Sequence, residues 1–257
     1  MADVVAEETT FLTRGVPAPA LLFRPRGPGR HPAVVLGMEA TGLNRFIRRV
    51  GTDLAARGYV AFVPDYYHGS GPHDPEDLTD IAGIMVHVGA LDFVKATREM
   101  HDAIDHVGRQ SFVNGERIAV WGFCTGATLT MLAACTRRDL AAAVLFYPSQ
   151  PWFETLDDAH PVHPVDLLWN AACPLQVVYG DADVVMSADQ LALVRQRMVR
   201  WGIEHEVHVH AGAGHAFMAE ADGFHHARAA EESYPAAFEF LMRHLPPNGD
   251  AERTQNG

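Results

Sequence analysis

From about residue 33 onward, short apolar runs alternate with stretches of helical periodicity. Strands that alternate with helices along a chain are typical of a mostly parallel sheet with helices on both faces. The segments interpreted as strands are short and mostly rich in apolar or β-branched residues, and they span 33–36, 59–63, 118–121, 141–146, 175–179 and 206–210. The first five lack polar alternation, which indicates burial on both faces. The sequence therefore predicts an α/β fold.

The start of the chain adds an antiparallel pair to this sheet. Segments 9–13 and 20–24 flank the turn-like sequence Gly-Val-Pro-Ala-Pro at 15–19. They bring the predicted sheet to about eight strands, with this pair at one edge.

Helices are predicted between the strands and near the end of the chain. Asn44 can cap a helix that runs to residue 57 and stops at Gly58. Apolar side chains at helical spacing mark a longer helix around 93–107, and another is expected at 233–244. Residues 246–257 are polar and lack periodicity, so we interpret them as a disordered tail behind a single domain, 1–245.

The charge of the chain restricts its partners. A formal net charge of -12 argues against nucleic acid and anionic membranes, which require a basic surface, and favours a small-molecule ligand. No run approaches the ~20 apolar residues of a membrane helix, and the acidic start MADVVAEETT lacks the features of a secretory signal. We therefore expect a cytoplasmic protein, either a monomer or a homodimer.

Cysteines and histidines are residues of this chain that could bind a transition metal. The three cysteines are odd in number, and neither they nor the pair His208 and His210 show metal-ligand spacing. We expect reduced thiols, no metal and no cofactor. Cys135 and Cys173 are interpreted as small buried residues.

Cys124 differs from the other cysteines in its position. The sequence Gly-Phe-Cys-Thr-Gly at 122–126 stands between a predicted strand and a helix that begins near Thr125. This is the arrangement of a nucleophile elbow, in which glycines two residues before and after the nucleophile let strand and helix approach each other. A helix N-terminus lowers the pKa of a thiol, which suits a cysteine nucleophile, and the Thr125 amide would point at the reacting carbonyl. A merely buried cysteine is the alternative.

An acidic residue and a histidine follow at later strand ends, in the order that a triad of this fold requires. Asp181 and Asp183 come after the strand at 175–179, and His215 comes after the strand at 206–210. Loops beyond the carboxyl ends of parallel strands are where such sheets gather their chemistry. Asp183 is preferred as the partner of His215, because in this motif the acid usually stands three residues after the strand-ending glycine. Asp181 is the rival, and otherwise a turn former.

These motifs resemble those of the dienelactone hydrolase family over nearly the whole chain, from about residue 10 to residue 245. Besides the cysteine elbow, the resemblance rests on Met-Glu-Ala-Thr-Gly-Leu-Asn at 38–44, Gly-Asp-Ala-Asp at 180–183 and Gly-His-Ala-Phe at 214–217. It implies an α/β-hydrolase fold with a triad of cysteine, histidine and aspartate. It also implies that Glu39 contacts the resting thiol until substrate displaces it, and that the Ala40 amide is a second oxyanion donor beside Thr125.

The chain departs from the family pattern where the substrate is bound. Members that degrade dienelactones have an arginine shortly after the catalytic histidine and another in the loop after the second central strand, but 216–219 and 65–71 contain none here. A substrate carboxylate would lack bidentate partners, which disfavours a dienelactone. The side chains expected to form a more apolar pocket are Tyr67, His68, Trp152, Phe153, Phe217 and Met218.

The predicted function is that of a cysteine hydrolase that opens a lactone or an activated ester through an acyl-cysteine intermediate. Two alternatives remain open on sequence grounds. The same machinery could serve acyl transfer or rearrangement of a natural product, or the fold could belong to a catalytically weak small-molecule binding protein.

Overall fold

The computed structural model of the protein describes residues 3–72, 76, 79–220 and 223–247. The strands are β1 (Val4–Thr13), β2 (Val16–Pro25), β3 (His31–Gly37), β4 (Val60–Pro64), β5 (Val113–Phe123), β6 (Ala143–Phe146), β7 (Leu175–Gly180) and β8 (His205–His210). The helices of the described ranges are α1 (Arg45–Ala56), α2 (Ile81–Gly89), α3 (Phe93–Gly108), α4 (Thr125–Thr136), α5 (Ala188–Arg200) and α6 (Ala227–His244), with a 3-10 helix at Pro164–Asn170.

The strands form one eight-stranded sheet in the order β1-β2-β4-β3-β5-β6-β7-β8. β2 pairs antiparallel with both β1 and β4, whereas the pairings from β4 through β3 to β8 are parallel. The predicted α/β fold, its antiparallel edge and its strand number are confirmed. Because β3 to β8 run in the same direction, the loops that follow these strands meet at one edge of the sheet.

The turn between β1 and β2 is tighter than the sequence suggests. Only Arg14 and Gly15 form it, with φ values of 50° and 79°. Two successive residues at positive φ make a turn whose twist matches that of the flanking strands. Pro17 and Pro19 suggest a longer loop in the sequence, but both lie within β2. This part of β2 pairs with β1 only, so every second N–H group points away from a partner strand, and a proline there costs no hydrogen bond of the sheet.

The helices follow the predicted pattern with three additions and one extension. Asn44 caps α1 by accepting a hydrogen bond from the Ile47 N–H at 3.0 Å. α6 begins at Ala227, earlier than predicted, because His226 caps it by accepting a hydrogen bond from the Ala229 N–H at 3.2 Å and Ala229 is buried. α2, α5 and the 3-10 helix were not predicted. Of the tail proposed at 246–257, residues 248–257 lie outside the described residues.

The sheet is covered on both faces, as its apolar strands predict. β4, β6 and β7 are buried along their whole length, and β3 is buried except at its first residue. Cys135 and Cys173 are 1% and 6% exposed, and burial raises the pKa of each thiol to about 12, so both behave as core residues. Within the described ranges, no helix combines the length and apolar character needed to cross a membrane.

Candidate active site

Cys124 lies at the turn between β5 and α4. Its φ of 52° and ψ of -119° are values that a non-glycine residue rarely adopts, so the surrounding structure must impose them. A Cβ on Gly126 would overlap the backbone of Gly37 and Met38, and one on Gly122 would overlap Gly126. The glycines of the elbow therefore allow β3, β5 and α4 to approach closely enough to hold this conformation.

His215 and Asp183 complete a chain of contacts that starts at Cys124. The Nε2 atom of His215 lies 3.1 Å from Cys124 Sγ, and its Nδ1 atom lies 2.9 Å from Asp183 Oδ2. The Asp183 side chain is fully buried, and the His215 side chain is 12% exposed. The ends of β5, β7 and β8 thus bring together three residues that are far apart in the sequence.

Of the two acidic residues after β7, Asp183 is the one that contacts His215. Its Oδ1 atom accepts hydrogen bonds from the N–H groups of Val185 at 2.7 Å and Met186 at 3.0 Å, which orients the carboxylate. Asp181 instead accepts a hydrogen bond from the Gly212 N–H at 2.6 Å. It therefore connects the loop after β7 to the loop after β8, as a turn residue would.

Cys124 and His215 each stabilise the charged form of the other. Burial raises the pKa of the Cys124 thiol, but the charge and hydrogen bond of His215, helped by the Thr125 hydroxyl, outweigh burial and bring it below its usual value. Burial lowers the pKa of His215, but the Cys124 thiolate and the Asp183 carboxylate reverse this effect and raise it to about 10. A thiolate beside an imidazolium is the form that attacks carbonyl carbons.

Glu39 is buried beside this pair, on the loop after β3. Its Oε1 atom accepts a hydrogen bond from the Tyr147 hydroxyl at 2.9 Å. Burial raises the pKa of Glu39 to about 7, although Tyr147 and His215 both favour the carboxylate form. Within the described part of the chain, the hydrogen bonds of the Cys124 sulfur go to His215 and Thr125. Glu39 acts on the thiol through its charge, which raises the thiol pKa, and the direct contact that the resemblance implies stays a prediction.

The loop that carries Glu39 is held in place by its neighbours. The Tyr66 hydroxyl donates to the carbonyl of Met38, and the Asn44 amide donates to the Thr41 hydroxyl at 2.9 Å. The same Asn44 caps α1, so the loop is tied to the start of that helix. A rigid loop of this kind can keep a backbone N–H in one orientation.

Two backbone amides at the site are available for a ligand. In the ranges that the structure covers, the N–H groups of Ala40 and Thr125 donate to no other group. Thr125 is the first residue of α4, where a helix offers no internal acceptor. Ala40 follows Glu39, and Thr125 follows Cys124. Both residues are predicted to be oxyanion donors, and that role stays a prediction.

Tyr67 and His68, both predicted as pocket residues, point in different directions. Burial, and after it the charge of a nearby Cys124 thiolate, raise the pKa of Tyr67, and its hydroxyl finds no hydrogen-bond partner among the described residues. The His68 ring turns toward α3, with Nε2 3.0 Å from Glu99 Oε1. Tyr67 therefore lies near the thiol, whereas His68 anchors its loop to α3.

Trp152 and Phe217 do not line the site together either. Trp152 is 40% exposed, and its ring stacks on that of His163 at a centroid distance of 3.9 Å. Phe217 is fully buried and packs edge-on against Tyr147 at 5.2 Å. Phe217 therefore supports the residues of the site from behind, and Trp152 belongs to a more exposed stack.

Two features of the site were missed by sequence reasoning. Tyr147 follows β6 directly, has a φ of 38° and contacts the His215 ring at a centroid distance of 5.3 Å. A polar aromatic residue at the carboxyl end of a central strand was the signal that could have indicated it. The other feature is α2, whose Ile84 and Val88 pack against Ala40.

The histidines of β8 have carboxylate neighbours. His208 Nε2 lies 3.1 Å from Glu206 Oε2, and His210 Nδ1 lies 3.5 Å from Glu232 Oε2. Across residues 3–72, 76, 79–220 and 223–247, no three side chains of histidine, cysteine, aspartate or glutamate are grouped so as to hold a metal ion.

A family model described as the dienelactone hydrolase family matches residues 18–245. The chain belongs to the dienelactone hydrolase family. It is 30% identical over 233 residues to the "Probable 2-oxo-3-(5-oxofuran-2-ylidene)propanoate lactonase" of Bradyrhizobium sp., covering 91% of this chain and 92% of that protein. It is also 30% identical over 245 residues to the "Putative carboxymethylenebutenolidase" of Escherichia coli strain K12, covering 94% and 88%.

Among solved structures, the chain resembles that of a "Putative Dienelactone Hydrolase" from Klebsiella pneumoniae subsp. pneumoniae MGH 78578. The TM-score is 0.84 at 26% identity, and the match covers 95% of this chain and 98% of the other. Membership in the dienelactone hydrolase family makes this protein a hydrolase of the lactone or ester type.

The charges around the thiol restrict what this dienelactone hydrolase family member can bind. The main charged groups that act on Cys124 and His215 are each other, Glu39 and Asp183. The loops at 65–71 and 216–219 contain no arginine or lysine. A substrate carboxylate would therefore find no arginine or lysine in either loop.

Proposed function

We propose that this protein is a cysteine-dependent hydrolase that opens an uncharged lactone or activated ester through an acyl-cysteine intermediate. The observation that carries the proposal is the chain of contacts from Cys124 Sγ to His215 Nε2 at 3.1 Å and from His215 Nδ1 to Asp183 Oδ2 at 2.9 Å. The names of the two relatives, a lactonase and a carboxymethylenebutenolidase, support a lactone as the substrate class.

The first half of the reaction forms the acyl-enzyme. The Cys124 thiolate adds to the carbonyl carbon, and the resulting oxyanion accepts hydrogen bonds from the N–H groups of Ala40 and Thr125. As the C–O bond of the ester breaks, the His215 imidazolium transfers its Nε2 proton to the departing alkoxide. In a lactone this alkoxide stays tethered to the acyl group, so prompt protonation prevents it from closing the ring again.

The second half of the reaction releases the acid. Neutral His215 takes a proton from water, the hydroxide adds to the thioester carbonyl, and the thiolate of Cys124 leaves as the carboxylic acid forms. Asp183 keeps the imidazole in the tautomer whose Nε2 faces the sulfur and stabilises the imidazolium. The balance is one ester and one water consumed, and one acid and one alcohol formed.

Glu39 and Tyr147 are proposed to control when the thiolate forms. An ionised Glu39 disfavours the thiolate, and the Tyr147 hydroxyl favours ionised Glu39. A substrate that displaces the carboxylate, or protonation of Glu39, would remove this repulsion. The thiol is thereby less exposed to oxidation between turnovers. The single domain at 1–245, the cytoplasmic location and the monomeric or homodimeric state stay predictions.

Turnover of p-nitrophenyl acetate tests the proposal, measured for the wild type, Cys124→Ala and Cys124→Ser, with mass spectrometry of the quenched enzyme. We expect no turnover by the alanine variant, and an acyl adduct on the Cys124 peptide of the wild type. Equal turnover in all three proteins without an adduct would refute covalent cysteine catalysis and favour the binding-protein alternative.

A further inference from the structure

A cavity of about 230 Å³ lies between α3, α4 and the segment from Phe153 to Leu167. Its lining includes Leu132 and Thr136, near the end of α4. α4 begins directly after Cys124, so at a rise of ~1.5 Å per residue these side chains lie ~12 and ~18 Å along the helix from the nucleophile. The cavity is therefore separate from the candidate active site.

The apolar part of this cavity is preformed. Phe93 and Phe153 are 2% and 3% exposed and meet edge-on at a centroid distance of 5.0 Å. The His160 ring contacts both of them, at 5.2 and 4.6 Å. Packed rings of this kind leave an apolar surface that need not rearrange before a ligand binds.

The polar part of the cavity comes from one side of α3. Arg98 lines the cavity, and no carboxylate of the described residues lies within ion-pair distance of its guanidinium. The nearby acids have other partners: Asp102 accepts hydrogen bonds from Thr13 and Arg14, and Asp105 pairs with Arg137. In a chain with a net charge of -12, a guanidinium without a carboxylate partner is available for a ligand anion.

His101 adds a neutral polar edge to the same cavity. The Thr136 hydroxyl donates to the Leu132 carbonyl at 2.6 Å, so it accepts from His101 Nε2 at 2.9 Å. Burial and the nearby Arg137 lower the pKa of His101, which keeps the ring uncharged at neutral pH. Arg98 is therefore the cation that lines the cavity, because Arg137 nearby pairs with Asp105 and Asp139.

We propose that this cavity is a second, non-catalytic site for a small amphipathic carboxylate, with its apolar body against Phe153 and Leu132 and its carboxylate on Arg98. The guanidinium of an arginine donates two parallel hydrogen bonds to a carboxylate, and the single charge of Arg98 matches that of a monoanion. The site uses none of the atoms of the proposed hydrolytic reaction, so it stands or fails independently of that proposal.

Calorimetric titration of the full-length protein with 3-phenylpropionate tests this site. The matched ligand is 3-phenylpropanol, and the matched variants are Arg98→Gln and Lys95→Gln, because Lys95 is a cation of the same helix that already pairs with Asp92. We expect the carboxylate to bind with a Kd of about 1 mM or below, and the alcohol and the Arg98→Gln variant to bind about tenfold more weakly, as loss of a charged hydrogen bond predicts. Lys95→Gln should bind like the wild type.

Amide chemical-shift mapping with the same ligand distinguishes this cavity from the active site. We expect the perturbed amides to cluster at Thr97, His101 and Thr136. Perturbations confined to Cys124 and His215, equal affinity for acid and alcohol, unchanged binding by Arg98→Gln, or no binding at about 10 mM ligand would each overturn the proposal.

Discussion

The Tyr147 hydroxyl donates a hydrogen bond of 2.9 Å to the buried carboxylate of Glu39. This pair lies beside the contact of Cys124 and His215, and the charge of Glu39 opposes the thiolate. The reactivity of the Cys124 thiol thus depends on whether the Glu39 carboxyl group is ionised.

Glu39→Gln should make the thiol more reactive above neutral pH. Without the carboxylate the pKa of Cys124 falls, so alkylation by iodoacetamide at pH 8 should be about three- to tenfold faster than in the wild type. The effect should vanish near about pH 5.5, because Glu39, with a pKa of about 7, is then protonated in the wild type as well. Glu99→Gln removes another buried carboxylate, one that contacts His68, and should leave the rate unchanged. Equal rates for Glu39→Gln and the wild type at pH 8 would contradict this account.

Tyr147→Phe should shift the titration of Glu39 itself. Because the hydroxyl favours the ionised carboxylate, its loss should move the Glu39 inflection in the pH profile of Cys124 alkylation upward from about 7. Tyr179→Phe is the matched control, since the Tyr179 hydroxyl donates to the Met186 carbonyl. A downward shift, or the same shift in both variants, would show that Tyr147 does not act through Glu39.

The two aspartates after β7 should differ sharply in their effect on turnover. Asp183→Asn removes the charge beside His215 and disturbs its tautomer, so kcat should fall by roughly 10²- to 10⁴-fold. Asp181→Asn changes a residue that only connects two loops and should retain most of the activity. The measurement is ester hydrolysis by the two variants at equal concentrations of folded protein, with folding checked by circular dichroism. The reverse order of activities would reassign the acid.

Gly126→Ala should destabilise the protein. The added methyl group would overlap the backbone of Gly37 and Met38, which cannot move aside as a flexible side chain could. We expect a loss of roughly 1–3 kcal/mol or more in the free energy of unfolding. Gly89→Ala, at the end of α2 with no atom near its added methyl group, should be neutral or slightly stabilising. Similar denaturation midpoints for both variants would contradict the close packing at the elbow.

A charge on the substrate should slow its turnover. We expect kcat/KM for a neutral five-membered lactone to exceed that for the same lactone bearing a carboxylate, because the charge of Glu39 repels the anion and neither adjacent loop supplies an arginine. Hydrolysis of the two compounds under identical conditions measures the ratio. Preference for the carboxylate would indicate a cationic group elsewhere at the site.

Much of the fold could be predicted from the sequence, because the patterns that indicate its strands, caps and turns are local. Continuous apolar strands, the Asn44 cap and the glycines at 122 and 126 each act within a few residues, so periodicity and turn chemistry predict them. α2 was not predicted because apolar residues surround nearly the whole helix, so its sequence shows no amphipathic period. Its exposed residues include Ile81, Met85 and Val86.

The order of Cys124, Asp183 and His215 along strand ends indicated a triad, because parallel strands deliver their following loops to one edge of the sheet. The sequence by itself determined the fold class, the elbow and the candidate nucleophile, base and acids. Only the tertiary structure decided that Asp183 faces His215, that His68 turns to Glu99, and that Tyr147 holds Glu39. The physical reason is that hydrogen bonds and burial depend on side-chain directions across the sheet, which no local pattern encodes.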